Sequence, residues 1–130
     1  TPLENSRSLS WPLASFEDPR WKLHRAFSRD NGKTWSAPEP VALPNYDAKA
    51  NILPLPDGRL LIAYNDNPER LPLKLAISKD GGVNWSLAGI LDAGPGSMSY
   101  PTLIADQENR IHLCYTWKRR EIAYKVIRLD

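Results

Sequence analysis

Ser28-Arg29-Asp30-Asn31-Gly32-Lys33-Thr34-Trp35 is answered fifty residues downstream by Ser78-Lys79-Asp80-Gly81-Gly82-Val83-Asn84-Trp85. Two copies of S-x-D-x-G-x-[TN]-W mean that one structural unit recurs, and a repeat governs how the rest of a chain is read. The chemistry of the octad is local. Its Asp accepts hydrogen bonds from backbone N–H groups of its own turn, and its Gly supplies a residue with φ > 0. The Trp is expected to fold back beneath the turn as a large apolar plug. None of this needs a ligand. Ser28, Asp30, Gly32 and Trp35, with their counterparts Ser78, Asp80, Gly82 and Trp85, therefore read as structural staples.

The repeat extends outward from the octads. Asp57-Gly58-Arg59-Leu60-Leu61-Ile62-Ala63-Tyr64 runs parallel to Glu108-Asn109-Arg110-Ile111-His112-Leu113-Cys114-Tyr115. In each copy a turn pair feeds a β-rich apolar run that ends in Tyr, and Asp-Gly between two such runs signals a hairpin. A polar loop follows, then another strand, Leu73 to Ser78 in one copy and Ile122 to Leu129 in the other. Each complete unit reads as four antiparallel strands over about 40–50 residues, the signature of a propeller blade. No segment carries helical periodicity over three turns. The fold class is all-β, a partial β-propeller of two to three four-stranded blades.

Length sets the blade count. A single partial propeller domain over 1–130 is expected, with a blade end at 8–43, a full blade at 48–91 and a last blade at 98–130. Propellers close with about 4–8 blades, so 130 residues are too few to close alone. The chain is expected to be the C-terminal piece of a longer protein, as its first residue, Thr rather than Met, also suggests. Were it the full length, exposed sheet edges and blade faces would favour self-association. A net charge of +2 is too weak to argue for a nucleic-acid partner, and Lys118-Arg119-Arg120 has no aromatic platform around it. No apolar run is long enough to span a bilayer as a helix. With Cys114 as the sole cysteine, no intrachain disulfide forms, and it reads as a small strand hydrophobe. His24 and His112 lack partners at metal-ligand spacing. No cofactor and no metal are expected.

Blade topology places the loops. Both Asp-bearing turns join third to fourth strands, so they lie away from the connections between blades. The segments able to line a central mouth are 44–51, 65–71, 94–100 and 115–121. They hold Asn45, Tyr46, Asp47, Lys49, Asn65, Asp66, Arg70, Tyr100, Trp117, Lys118, Arg119 and Arg120. Arg offers a bidentate fork to a carboxylate, and aromatic faces suit a sugar ring. The plainer reading is that loops are polar because they are wet.

The octads, with Leu43-Pro44-Asn45, Tyr64-Asn65, Gly94-Pro95-Gly96-Ser97-Met98-Ser99-Tyr100-Pro101 and Tyr115-Thr116-Trp117-Lys118-Arg119, resemble the sialidase-like family of bacterial neuraminidase repeat, or Asp-box, propellers. The resemblance covers residues 28 to 128. It implies a six-bladed parent fold and an exo-glycoside hydrolase acting on sialylated or related acidic glycans. Such enzymes grip the substrate carboxylate with a trio of Arg and attack with a Tyr activated by a Glu, while an Asp serves as acid/base. A Tyr departs from the usual carboxylate pair, and it is not repelled by the substrate's own carboxylate.

Position by position, Tyr100 resembles the nucleophile, and Arg70 is a candidate for substrate contact alongside Asp47, Asn45 and Trp117. No Glu matches the base; Glu4 and Glu17 are upstream and unmatched. The acid/base Asp and the first Arg would belong to N-terminal blades beyond this sequence. Where many relatives show Asn-Pro-Asn-Ser-Gly-Ile-Asp after the Leu-Pro pair, this chain has Asn45-Tyr46-Asp47-Ala48-Lys49-Ala50-Asn51. A non-catalytic glycan-binding or structural Asp-box module is the competing expectation. The expected partner is an acidic glycan, as substrate or as ligand, with neither nucleic acid nor membrane. A secreted or periplasmic location fits a parent that acts on external glycans.

Overall fold

The computed structural model describes residues 3–5 and 19–129. The start of the expected first blade and Glu17 lie outside the described residues. A short 3-10 turn, Pro19–Trp21, precedes nine strands: β2 (Lys22–Arg25), β3 (Glu39–Pro44), β4 (Asn51–Pro54), β5 (Leu60–Asn65), β6 (Leu73–Ser78), β7 (Ser86–Asp92), β8 (Met98–Ala105), β9 (Arg110–Trp117) and β10 (Glu121–Arg128). One more, β1 (Leu3–Asn5), pairs with β2. The strands form three antiparallel sheets in chain order, β1-β2-β3, β4-β5-β6-β7 and β8-β9-β10.

The sheets stack face to face, and the burial patterns say which faces are covered. On the middle sheet Ile62, Tyr64 and Ala76 pack against Leu23, Val41 and Leu43 of the first. Its other face sets Leu61, Ala63, Leu73 and Leu75 against Met98, Leu103, Ile111, Leu113 and Tyr115 of the third. A strand covered on both sides has no polar face to present. This is why Leu61 through Asn65 are buried without a break. In β9 the pattern alternates, because the described residues cover only one face of the third sheet. Ile104, Ile122, Tyr124 and Val126 are exposed large apolar side chains of that sheet. Cys114, expected to pack as a small hydrophobe, is likewise exposed, since its neighbours Leu113 and Tyr115 take the covered side. The first strands of the middle and third sheets lie side by side, with the Asn51 side chain accepting the Leu103 N–H at 2.8 Å.

The octads form the β2–β3 and β6–β7 turns and repeat each other bond for bond. Asp30 Oδ1 accepts the N–H groups of Lys33 and Thr34 at 3.1 and 2.9 Å, and Asp80 Oδ1 accepts those of Val83 and Asn84 at the same distances. The Ser28 and Ser78 hydroxyls accept the N–H of Gly32 and Gly82 at 2.7 and 2.9 Å. Each indole N–H donates to a glycine carbonyl, Trp35 to Gly32 and Trp85 to Gly82. The plug is unequal, however. Trp85 packs onto the apolar contact between first and middle sheets, whereas Trp35 stays 48 % exposed. Folding back satisfies the indole N–H, but burial depends on a neighbouring sheet.

Candidate functional site

Tyr100 owes its position to a break in strand pairing. Ser99 pairs with Thr116 and Thr102 with Cys114, so Tyr100 and Pro101 stand opposite Tyr115 alone. Such a bulge re-aims a side chain out of the regular alternation. Tyr100 has φ 55°, a left-handed value that costs a bulky residue about 1–2 kcal/mol. Ser99 and Pro101 are buried on either side of it, and its own ring is 54 % exposed. The bulge aims a phenol into solvent near the start of β8.

The Arg70 guanidinium carbon sits 5.4 Å from the centroid of that ring. Its Nη2 reaches the Asp47 carbonyl oxygen at 3.5 Å, a long contact that leaves most of the fork unused. Among the described residues no carboxylate pairs with Arg70. Arg70 and Asp47 also lie in the left-handed region, with φ 62° and 63°. Lys118 and Arg119 share it, at 52° and 58°, in the turn joining β9 to β10. That turn is tied to the 94–97 loop by the Lys118 N–H, which donates to the Ser97 carbonyl at 2.7 Å. The loop must carry glycine there: a Cβ on Gly96, whose φ is +95°, would lie 2.7 Å from Lys118 Cγ.

The structure thus brings Asp47, Arg70 and Tyr100 together and separates them from two other expected contacts. Asn45 is fully buried, and its amide is committed to Ala48, donating to the carbonyl at 2.7 Å and accepting the N–H at 3.0 Å. Its side chain shapes the 45–48 turn from inside. Trp117 carries the Lys118 ammonium 4.3 Å from its ring centroid and lines a separate 290 Å³ depression with Asp92, Tyr115, Glu121 and Lys125. There the Tyr115 hydroxyl donates to Asp92 Oδ2 at 2.7 Å. Partial burial works against the Asp92 charge, but that hydroxyl, the Gly94 N–H and the nearby Lys125 and Lys118 hold its carboxyl below the usual range. Burial first, and then the Asp92 carboxylate, push the Tyr115 phenol far up. The pair is locked in opposite protonation states at neutral pH. Nothing in the sequence marked Asp92; its partner is 23 residues away.

A second polar group lies outside these loops. His112 Nε2 contacts Asp106 Oδ2 at 2.8 Å, and its Nδ1 meets the Tyr124 hydroxyl. The hydrogen bond from His112, followed by those from Arg110 and Glu108, holds the Asp106 carboxyl far below its ordinary value against the opposing effect of desolvation. His112 is thus a hydrogen-bonded strand histidine.

Stacked antiparallel sheets, innermost strands side by side and loops gathered at one end define a partial β-propeller. Residues 14–113 match the BNR repeat-like domain, and the chain belongs to that family. No curated protein matches the sequence significantly. Among solved structures the fold resembles the intramolecular trans-sialidase from Ruminococcus gnavus, determined in complex with oseltamivir carboxylate. The TM-score is 0.63 at 20 % sequence identity, and the match covers 84 % of this chain and 28 % of that one. At that identity the likeness shows the fold. The chain is a sialidase-like module that spans little more than a quarter of that protein.

Proposed function

We propose that this module belongs to an exo-glycoside hydrolase of sialidase type, acting on sialylated or related acidic glycans. The observation that carries the reading is the apposition of Arg70 and Tyr100 on strained backbone at one mouth. Strained residues persist where surrounding contacts over-determine them, and they cluster at functional sites. Arg70 has N–H donors to spare for a substrate carboxylate. Tyr100 supplies the nucleophile: its oxygen bonds to the anomeric carbon while the glycosidic C–O bond breaks and the leaving oxygen takes a proton. Water then cleaves the glycosyl–tyrosine bond and restores the phenol. The base and the acid in this scheme come from outside the described residues. Release of a fluorogenic sialoside by the intact protein tests the reading. Turnover that disappears in Tyr100→Phe supports it, and full activity in that variant removes the role given to Tyr100.

One observation favours a second reading, a non-catalytic glycan-binding or structural module. Among the described residues no carboxylate hydrogen-bonds the Tyr100 hydroxyl. Saturable binding of a sialylated glycan with no product formed identifies the binding form of that alternative.

A further inference from the structure

Asn65 ends β5 and is enclosed, with 1 % of its surface exposed. Its Nδ2 donates to the Pro72 carbonyl at 3.1 Å and to the Met98 carbonyl at 3.0 Å. Only the nitrogen of an amide can face two carbonyl oxygens, so the chemistry fixes its orientation. The two acceptors belong to different segments. Pro72 closes the loop that carries Arg70, and Met98 opens β8 two residues before Tyr100. The Met98 N–H closes the same junction by donating to the Arg70 carbonyl at 2.8 Å. Inside the loop, Asn67 Oδ1 accepts the N–H groups of Glu69 and Leu71, and its amide donates back to the Leu71 carbonyl.

We propose that Asn65 is a positioning residue: a buried strap that sets Arg70 against Tyr100. Arg70 and Tyr100 both hold φ values that isolated loops abandon, so something enclosed must keep them there. Asn65 reaches both segments from below with one amide. Its Oδ1 is buried with no partner among the described residues. That orphaned acceptor works against stability, so an apolar residue would serve a merely space-filling role better. The inference rests on Arg70 and Tyr100 as the ligand-facing pair, yet the coupling of their two segments is measurable without any sugar.

Asn65→Asp keeps the shape, removes both donors and turns an anion toward two carbonyls. In the intact protein, amide hydrogen exchange should quicken at Met98 and across 66–72 by tenfold or more, with the β5–β6 pairing unchanged. Where the wild type releases the fluorogenic sialoside, Asn65→Asp should lower kcat/KM at least 30-fold, mostly through kcat. It should cost little further in an Arg70→Ala background, because both variants remove the same placement. Ile62→Val, a core change that loosens the sheets without touching the strap, should leave kcat/KM within twofold. Unchanged Met98 exchange, uniform quickening throughout β4–β7, or additive losses with Arg70→Ala would overturn the proposal. If Asn65→Asp does not fold, Asn65→Ser, which keeps one donor, takes its place with a smaller effect of the same pattern. A wild type without turnover defeats the hydrolase reading alone, and the exchange data still decide the strap.

Discussion

At the turn end of these sheets every left-handed residue among those described is Asn or Gly: Asn31, Gly32, Gly58, Gly81, Gly82 and Asn109. At the loop end that conformation is also taken by Asp47, Arg70, Tyr100, Lys118 and Arg119. The first set pays almost nothing for it, since glycine lacks a Cβ and Asn bonds locally. In the second set Arg70, Tyr100, Lys118 and Arg119 are strained, and Ser97 holds Lys118 and Met98 holds Arg70 from far away in sequence. One end is built from tolerance and the other from constraint. Ligand chemistry should therefore respond to the loop end and not to the turn end.

Tyr100→Phe offers the sharpest way to break that division. It should lower sialoside release by roughly 10³-fold or more, as expected when a catalytic nucleophile is lost, while Asp80→Asn should leave release unchanged. Steady-state kinetics on both variants checks this, and equal losses would dissolve the contrast. The sheets between the two ends come next. Ile62→Ala, buried between first and middle sheets, should cost about 2–5 kcal/mol. Ile122→Ala, 72 % exposed on the third sheet, should stay within about 0.5 kcal/mol by urea unfolding.

Glycines sharpen the comparison within a single residue type. Gly81 and Gly96 both have positive φ, but a Cβ at Gly81 meets nothing within 4 Å. Gly81→Ala should cost about 1 kcal/mol of backbone strain. Gly96→Ala adds the collision with Lys118 and should cost roughly 2–3 kcal/mol, with a change in Trp117 fluorescence as Lys118 leaves its ring. The smallest effect is acid loosening of the turns. The Thr34 hydroxyl and N–H hold the Asp30 carboxyl at about 2, and Asn84 does the same for Asp80, also at about 2. Both values lie below the ordinary 3.8. Their stabilisation is thus complete above pH 4 and fades as pH falls toward 2. Melting temperature followed over that interval should fall, and fall less in Asp80→Asn.

The turns and the hairpins were legible because each depends on partners a few residues apart. Asp30 reaches no further than Thr34, and Asp57 no further than Arg59. The candidate mouth was legible only as a set of loops. Arg70 and Tyr100 do meet, but Asn45 turned inward to Ala48 and Trp117 faced another depression. Trp35 and Trp85 occupy the same place in their octads, yet only one is sheltered by a neighbouring sheet.

The order of residues by itself determined the repeating antiparallel hairpins and their stapled turns, since hydrogen bonds between near neighbours in sequence suffice to close those turns. Tertiary structure alone decided which polar side chains are spent on the fold and which stay uncommitted at the loop end. A bulge at Tyr100 exists only through β9, and the Asn65 strap only through a strand 33 residues away. Stacking of sheets creates those partners, and no local propensity encodes them.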